Sequence, residues 1–337
     1  MADELMDAAA PALRAPRDRS AGLPGLIALA RRHRVLLAIL FLAVFPFFVP
    51  NKALATQVLT YGLYALGFNL LFGYLGVLSF GHAALFGTGA YLCGMALVHL
   101  GLPWWIGILA GTLAGAVTAA LIGLIALRMR GIYFAMVTLA LAQCVYYLFY
   151  QATGLTGGEN GLRLPTVGRI GPQGLSLDFV DPLTRYYVVA AFVASSLVAL
   201  SRILASPFGA VIEAVRENEA RARACGYDVN LTRLLAFVLS GSFCGLAGAL
   251  EALRIAIVPV ELLNIETSGL AVMMCLLGGM GTFFGPFVGA AVFLVLENAV
   301  SVWTVHWQLV VGAVFVACVL FFPKGIIGSM VAWGLRR

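Results

Sequence analysis

The chain has 337 residues, 62% of them apolar and only 11% charged, with a mean hydropathy of +0.99. Between Val35 and Leu127 the only Lys, Arg, Asp or Glu is Lys52, so roughly 90 residues must lie mostly in a bilayer that takes about 20 apolar residues per crossing, which excludes a soluble fold. The net charge of +6 does not point to nucleic acid, because Lys and Arg gather in segments flanking the apolar runs.

Residues 1–34 are rich in Ala, Pro and Arg and read as a tail, partly disordered or interfacial, ahead of a transmembrane region over 35–325 and a second tail over 326–337. Ala53-Leu54-Ala55 follows an apolar run as a signal cleavage site would, but Lys52 interrupts it. Ten hydrophobic segments follow, at 35–50, 55–73, 82–100, 104–127, 131–151, 186–204, 234–253, 267–284, 286–304 and 306–323. The expected fold class is therefore an all-α polytopic membrane protein of about ten spans. An even count puts both termini on one side. With that side cytoplasmic, the inner segments hold 16 Lys or Arg and the outer ones five, an asymmetry that orients the chain.

The first glycine run, Gly73 to Tyr91, and a later one, Gly278 to Gly289, fall where two pairs of spans meet. Glycines there fit ordinary turns or close helix packing, or else broken or re-entrant helices, the expected form, whose freed backbone groups need a protein or hydrated setting. Both runs share G-x-x-G followed by Phe-Gly, a faint trace of duplication that suits a parallel repeat. Sparse polar residues within or at the edge of spans, namely Gln57, Tyr61, Asn69, Ser79, His82, Thr138 and Gln143, are the candidates for a solute pathway; hydrogen bonding between helices is the other role open to them. Glu297, an acid near a span end, is a further candidate.

The longest outer segment, 152–185, contains Thr156-Gly157-Gly158-Glu159-Asn160, which reads as a Gly/Asn turn or as a contact for an external partner. The inner loop 205–233 holds a charged island. Ser206 suits an N-cap, Pro207 the first helical position and Gly226 a left-handed C-terminal residue, so one helix is expected over 206–226. Phe208, Val211, Ile212 and Val215 form an apolar stripe, and Glu217/Arg221 and Glu219/Arg223 form acid-before-base pairs four apart.

Catalytic patterns are missing. There is no G-x-x-x-x-G-K-[ST] phosphate loop, no H-E-x-x-H and no G-x-S-x-G, so the chain is not itself a P-loop ATPase. The six cysteines form no C-x-x-C pair and read as small buried hydrophobes, with neither metal nor disulfide indicated. An ion-driven secondary transporter would call for several intramembrane ionisable groups, and a membrane enzyme for clustered His and Asp; neither pattern appears.

Five motifs in register carry a family resemblance: Gly73–Tyr91, Arg130-Gly-Ile-Tyr-Phe-Ala-Met-Val-Thr-Leu-Ala140, Leu155-Thr-Gly-Gly-Glu-Asn-Gly-Leu162, the island and Gly278–Gly289. Over about residues 57–325 they resemble the LivM-type permease of branched-chain amino-acid ABC importers. That resemblance implies an inner-membrane permease paired with a LivH-type sister, two cytoplasmic ATPases that carry ATP and Mg, and a periplasmic binding protein. No cofactor is implied on this chain. Branched-chain amino acids are the implied cargo, with urea, short amides or aromatic and dicarboxylic acids as alternatives. The island resembles the coupling segment that such permeases insert into the ATPase. Its general signature begins Glu-Ala-Ala and has a glycine further on; Glu213-Ala214 and Glu219-Ala220 are the candidate starts and Gly226 the glycine, though neither start carries the second alanine. Phe208, Val211, Ile212 and Val215 are then the expected greasy contact, with Arg216, Glu217 and Arg221 as a polar rim, and Thr156 to Asn160 the expected contact for the binding protein.

Overall fold

The computed structural model describes residues 42, 46, 51–164, 181–304, 306–321 and 325–328. The chain divides into two units, residues 1–41 and 42–337, and the described residues belong to the second. The first expected segment (35–50, apart from Leu42 and Pro46), residues 165–180 of the outer loop, the amino-terminal tail and most of the carboxy-terminal one lie outside the described residues.

Nine helices coincide with the remaining nine expected segments. They are α1 (Lys52–Asn69), α2 (His82–Val98), α3 (Trp104–Ala126), α4 (Ile132–Gln151), α5 (Pro182–Ala205), α8 (Val229–Ile255), α9 (Ile265–Gly278), α10 (Gly285–Ser301) and α11 (Trp307–Phe321). Two more, α6 (Pro207–Glu217) and α7 (Glu219–Ala224), make up the island. Among the described residues five helices are long and apolar enough to cross a membrane: α1 with its extension to Leu75, α3, α4, α5 and α8. The other four are apolar but shorter. At 17 and 14 residues, α2 and α9 reach only about 25 and 21 Å, short of a hydrocarbon core of about 30 Å.

Polar caps start the helices where the apolar runs begin. Asn51 accepts from the amides of Ala53 and Leu54, Asp228 from those of Asn230 and Leu231, and Asn264 from that of Ile265. Asp181 opens α5 ahead of Pro182, and the Thr184 hydroxyl together with the Leu183 and Thr184 amides holds its carboxyl below its ordinary value.

Burial divides the spans into a pillar and a wall. In its most apolar stretch α1 is 83% buried, against 33% for α3 and 28% for α4. Leu63, Tyr64, Leu66 and Phe68 of α1 are fully enclosed, as is Phe86 of α2, whereas α3 presents Leu113, Val117, Leu121 and Leu124 outward. Helix α8 lies against α1, α2 and α3. It meets α3 through small residues: a Cβ on Gly115 would come within 2.5 Å of the Gly241 carbonyl and 2.6 Å of Gly245 Cα. Close backbone contact of this kind replaces the hydrophobic driving force that lipid removes.

The loops sort into two ends. At one end, β1 (Leu162–Arg163) pairs antiparallel with β2 (Ile257–Val258), His99 Nε2 lies 3.0 Å from the Leu155 carbonyl, and Arg185 donates to the Arg254 carbonyl at 3.0 Å. At the other end the two glycine runs meet the island. That alternation is what successive crossings of a membrane produce.

Candidate functional site

The junction of the glycine runs begins inside α1. Its last turn widens into a π-helix over Leu70–Leu75, and Gly76 ends it in the left-handed region at φ +80. Widened turns of this kind cluster at functional sites. Glycine is required at Gly76 by its φ and at Gly73 by approach, since a Cβ there would stand 2.5 Å from the Gly281 amide nitrogen. The chain then crosses irregularly to α2 through a partly buried segment in which side chains bond the backbone. Thr138 accepts from the Phe80 amide and donates to the Ala135 carbonyl; Ser268 accepts from the Ala83 amide and donates to the Phe80 carbonyl; Ser79 accepts from the Gly81 amide. Ser240 gives its proton to the Gly67 carbonyl at 2.6 Å, so it accepts from His82 Nε2 at 2.9 Å.

Asn69 joins this run to the second one. Its Nδ2 donates to the Thr282 carbonyl at 3.0 Å, and its Oδ1 accepts from the Gly281 amide at 3.0 Å and from Cys275 Sγ at 3.2 Å. Above them lies α6, whose Arg216 donates through Nη1 to the Gly73 carbonyl. One guanidinium thus ties the island to the first glycine run, which Asn69 joins to the second. Helix α7 is anchored separately: Glu219 bonds Arg233 of α8, and Arg130 of the α3–α4 turn stands 3.9 Å from the same carboxylate. Between these anchors is a cavity of about 440 Å³, floored by Gly76, Val77, Phe80 and Phe134 and edged by Arg130 and Arg233.

Three expectations for the island are corrected here. The single helix over 206–226 is two, because Asn218 is extended (φ -160) and its side chain accepts from the Arg221 amide, replacing a helical turn with a cap. The acid-before-base pair Glu219/Arg223 does not form, since Arg233 and Arg130 hold Glu219, and Glu217 makes no ion pair with Arg221 among the described residues. Ser206 does not cap with its side chain, which donates to the Ile203 carbonyl. Gly226 is left-handed as expected, at φ +90.

The greasy contact is also corrected. Ile212 and Val215 are buried within this chain, against α5, α8 and the π-turn, with Phe208 and Val211 partly so. Among the residues that α6 and α7 leave open are Glu213, Ala214, Arg216, Glu217, Ala220, Arg221 and Arg223.

Of the pathway candidates, Asn69, Ser79, His82 and Thr138 are fully buried and each is hydrogen-bonded inside the chain, so they brace the broken segment. Gln57, Tyr61 and Gln143 keep partial exposure. In the outer loop, Thr156 is buried, bonding the Phe149 and Ala152 carbonyls and the Gly158 amide; Gly157 and Gly158 are left-handed, while Glu159 and Asn160 face outward. The sequence reading missed Glu251, fully buried in α8 and held bidentately by Arg254 at 2.6 and 2.8 Å. Its signal was available, an acid inside an apolar span with a base three residues on. Among the described residues no group of three His, Cys, Asp or Glu side chains is placed to hold a metal.

Comparison with known proteins gives this junction a family. Residues 52–319 match the family described as branched-chain amino acid transport system / permease component. The chain belongs to that family. This permease is 30% identical over 314 residues to the high-affinity branched-chain amino acid transport system permease protein LivM of Salmonella typhimurium, covering 87% of this chain and 74% of the relative. The LivM protein of Escherichia coli is 31% identical with the same coverage. The LivH permease of Salmonella typhimurium is 25% identical over 284 residues, 80% of this chain and 91% of the relative. No solved structure matches the permease. Family membership and the long apolar helices together make it a multi-pass membrane transport subunit.

Proposed function

We propose that this permease is the transmembrane subunit of an ATP-binding-cassette importer that carries branched-chain amino acids across the inner membrane. It spans about ten times with both termini cytoplasmic, beside a LivH-type sister. Two cytoplasmic ATPases, which hold ATP and Mg, drive it, and a periplasmic protein delivers the cargo to the outer loop 152–185 at Glu159 and Asn160.

The observation that carries this reading is the junction at Arg216. A short charged helix lies over two glycine-broken segments, and its guanidinium bonds the backbone where α1 gives way to α2. A push on α6 therefore reaches both glycine runs through a few rigid bonds, which is how a separate ATPase does mechanical work on a membrane core. The exposed residues Glu213, Ala214, Glu217, Ala220 and Arg221 form the face offered to the ATPase. Cargo passes along α1 beside Gln57 and Tyr61, where the Glu251–Arg254 pair lies close to the tyrosine.

Glu217→Ala with Arg221→Ala tests the coupling face. Both side chains are exposed and hold no ion pair among the described residues. Uptake of leucine, with isoleucine and valine as competitors and urea as a control, should fall about tenfold while the amount of permease in the membrane stays constant. Unchanged uptake would remove the coupling role. Competition by urea and not by valine would reassign the cargo.

A further inference from the structure

A second basic site lies beside the junction, on the outer wall of the bundle. Arg128 and Arg130 follow the end of α3, Arg223 sits on α7, and the three converge on a cavity of about 640 Å³ completed by Asn230, Leu231 and Leu234 of α8. Arg128 and Arg223 are exposed and have no ion-pair partner among the described residues. Two carboxylates are near. Glu219 is taken by Arg233, and Asp228 accepts from the Asn230 and Leu231 amides as the cap of α8. Positive charge is thus left uncompensated at the level where a hydrocarbon-facing helix ends.

The wall above it is apolar and continuous. Leu124 lines the basic cavity, and Leu113, Val117 and Leu121 lead from it along the same exposed face of α3 into a groove of about 550 Å³. Leu92, Val145 and Leu148 line its far side. A cationic socket at the interface and an apolar furrow running up from it match the two halves of one molecule.

We propose that an anionic phospholipid occupies this site, with its phosphate among Arg128, Arg130 and Arg223 and an acyl chain along α3. Charge excludes the chain's own amino-terminal segment, whose first 34 residues carry six Lys or Arg against four Asp or Glu. Anionic lipid gains from each basic side chain near the surface, and the furrow supplies the apolar contact that a soluble anion could not use. Since the socket shares α7 and Arg130 with the coupling junction, bound lipid stiffens the anchor of the island.

The experiment is lipid retention. The full chain is purified in mild detergent, exchanged against vesicles of phosphatidylglycerol or phosphatidylcholine, and the lipid held per protein is measured by mass spectrometry. Phosphatidylglycerol should be held preferentially; Arg128→Gln with Arg223→Gln should lower its retention about tenfold, and Arg202→Gln should not. Single variants, each expected to lose part of the retention, serve if the double variant does not accumulate. Equal retention of both lipids, or of phosphatidylglycerol by the double variant, would overturn the proposal. Displacement by inorganic phosphate alone would do so as well, by placing a soluble anion in the socket. Co-purified ATPase reports separately on the importer reading, so either can fail without the other.

Discussion

Asn69 spends both ends of its amide on the second glycine run, and little else in the chain could. Replacing it with alanine leaves the Gly281 amide and Thr282 carbonyl without their buried partner. Each orphaned group costs about 1–3 kcal/mol, so Asn69→Ala should unfold several degrees earlier in a detergent melt, and Asn69→Asp should not restore it because the donor to Thr282 is lost. Arg233 makes a parallel case in charge. Glu219→Gln opens an ion pair whose arginine is 9% exposed, with a cost near the low end of about 3–5 kcal/mol; Glu219→Gln combined with Arg233→Met should recover most of that stability, since the buried charge goes too. A double-mutant cycle on thermal unfolding measures the difference. None of these partners could be read from sequence. Asn69 and Glu219 were visible as polar residues, but the groups that satisfy them lie on other helices, and hydropathy carries no information about which helices touch.

At the scale of elements, the apolar runs were legible because a bilayer permits few backbones, and the described helices follow nine of the ten expected segments closely. The break at Asn218 was legible in principle, as Asn followed by Glu-Ala-Arg is an ordinary helix start, yet the caps at Pro207 and Gly226 read equally well as the ends of one helix. The apolar stripe of α6 was also read in the right positions and given the wrong partner. Amphipathic periodicity says that a face is covered without saying by what, and here its own chain covers it. Small residues followed a similar course. The glycines of α3 and α8 carry no sign in sequence of what they face, and in the fold they set how near two spans can come. Gly115→Val should therefore cost about 1–3 kcal/mol by overpacking, seen as lowered yield and an earlier melt, while Gly154→Val on the open outer turn should be silent.

Across the whole molecule, the buried pillar is an early span and its partners are late ones. Asn69 bonds residues 212 and 213 positions further on, Tyr64 reaches Thr267, and Gly67 waits for Ser240. At about 5–20 residues per second, a ribosome needs roughly 10–40 s to supply the partners of Asn69 after that residue is made. Through that interval α1 stands in or beside the bilayer with the Asn69 amide and the Tyr64 hydroxyl still without their partners, while the lipid-facing α3 and α4 arrive already suited to their surroundings. Biogenesis of this chain is thus a waiting problem, in which the helix that ends at the centre must be sheltered longest.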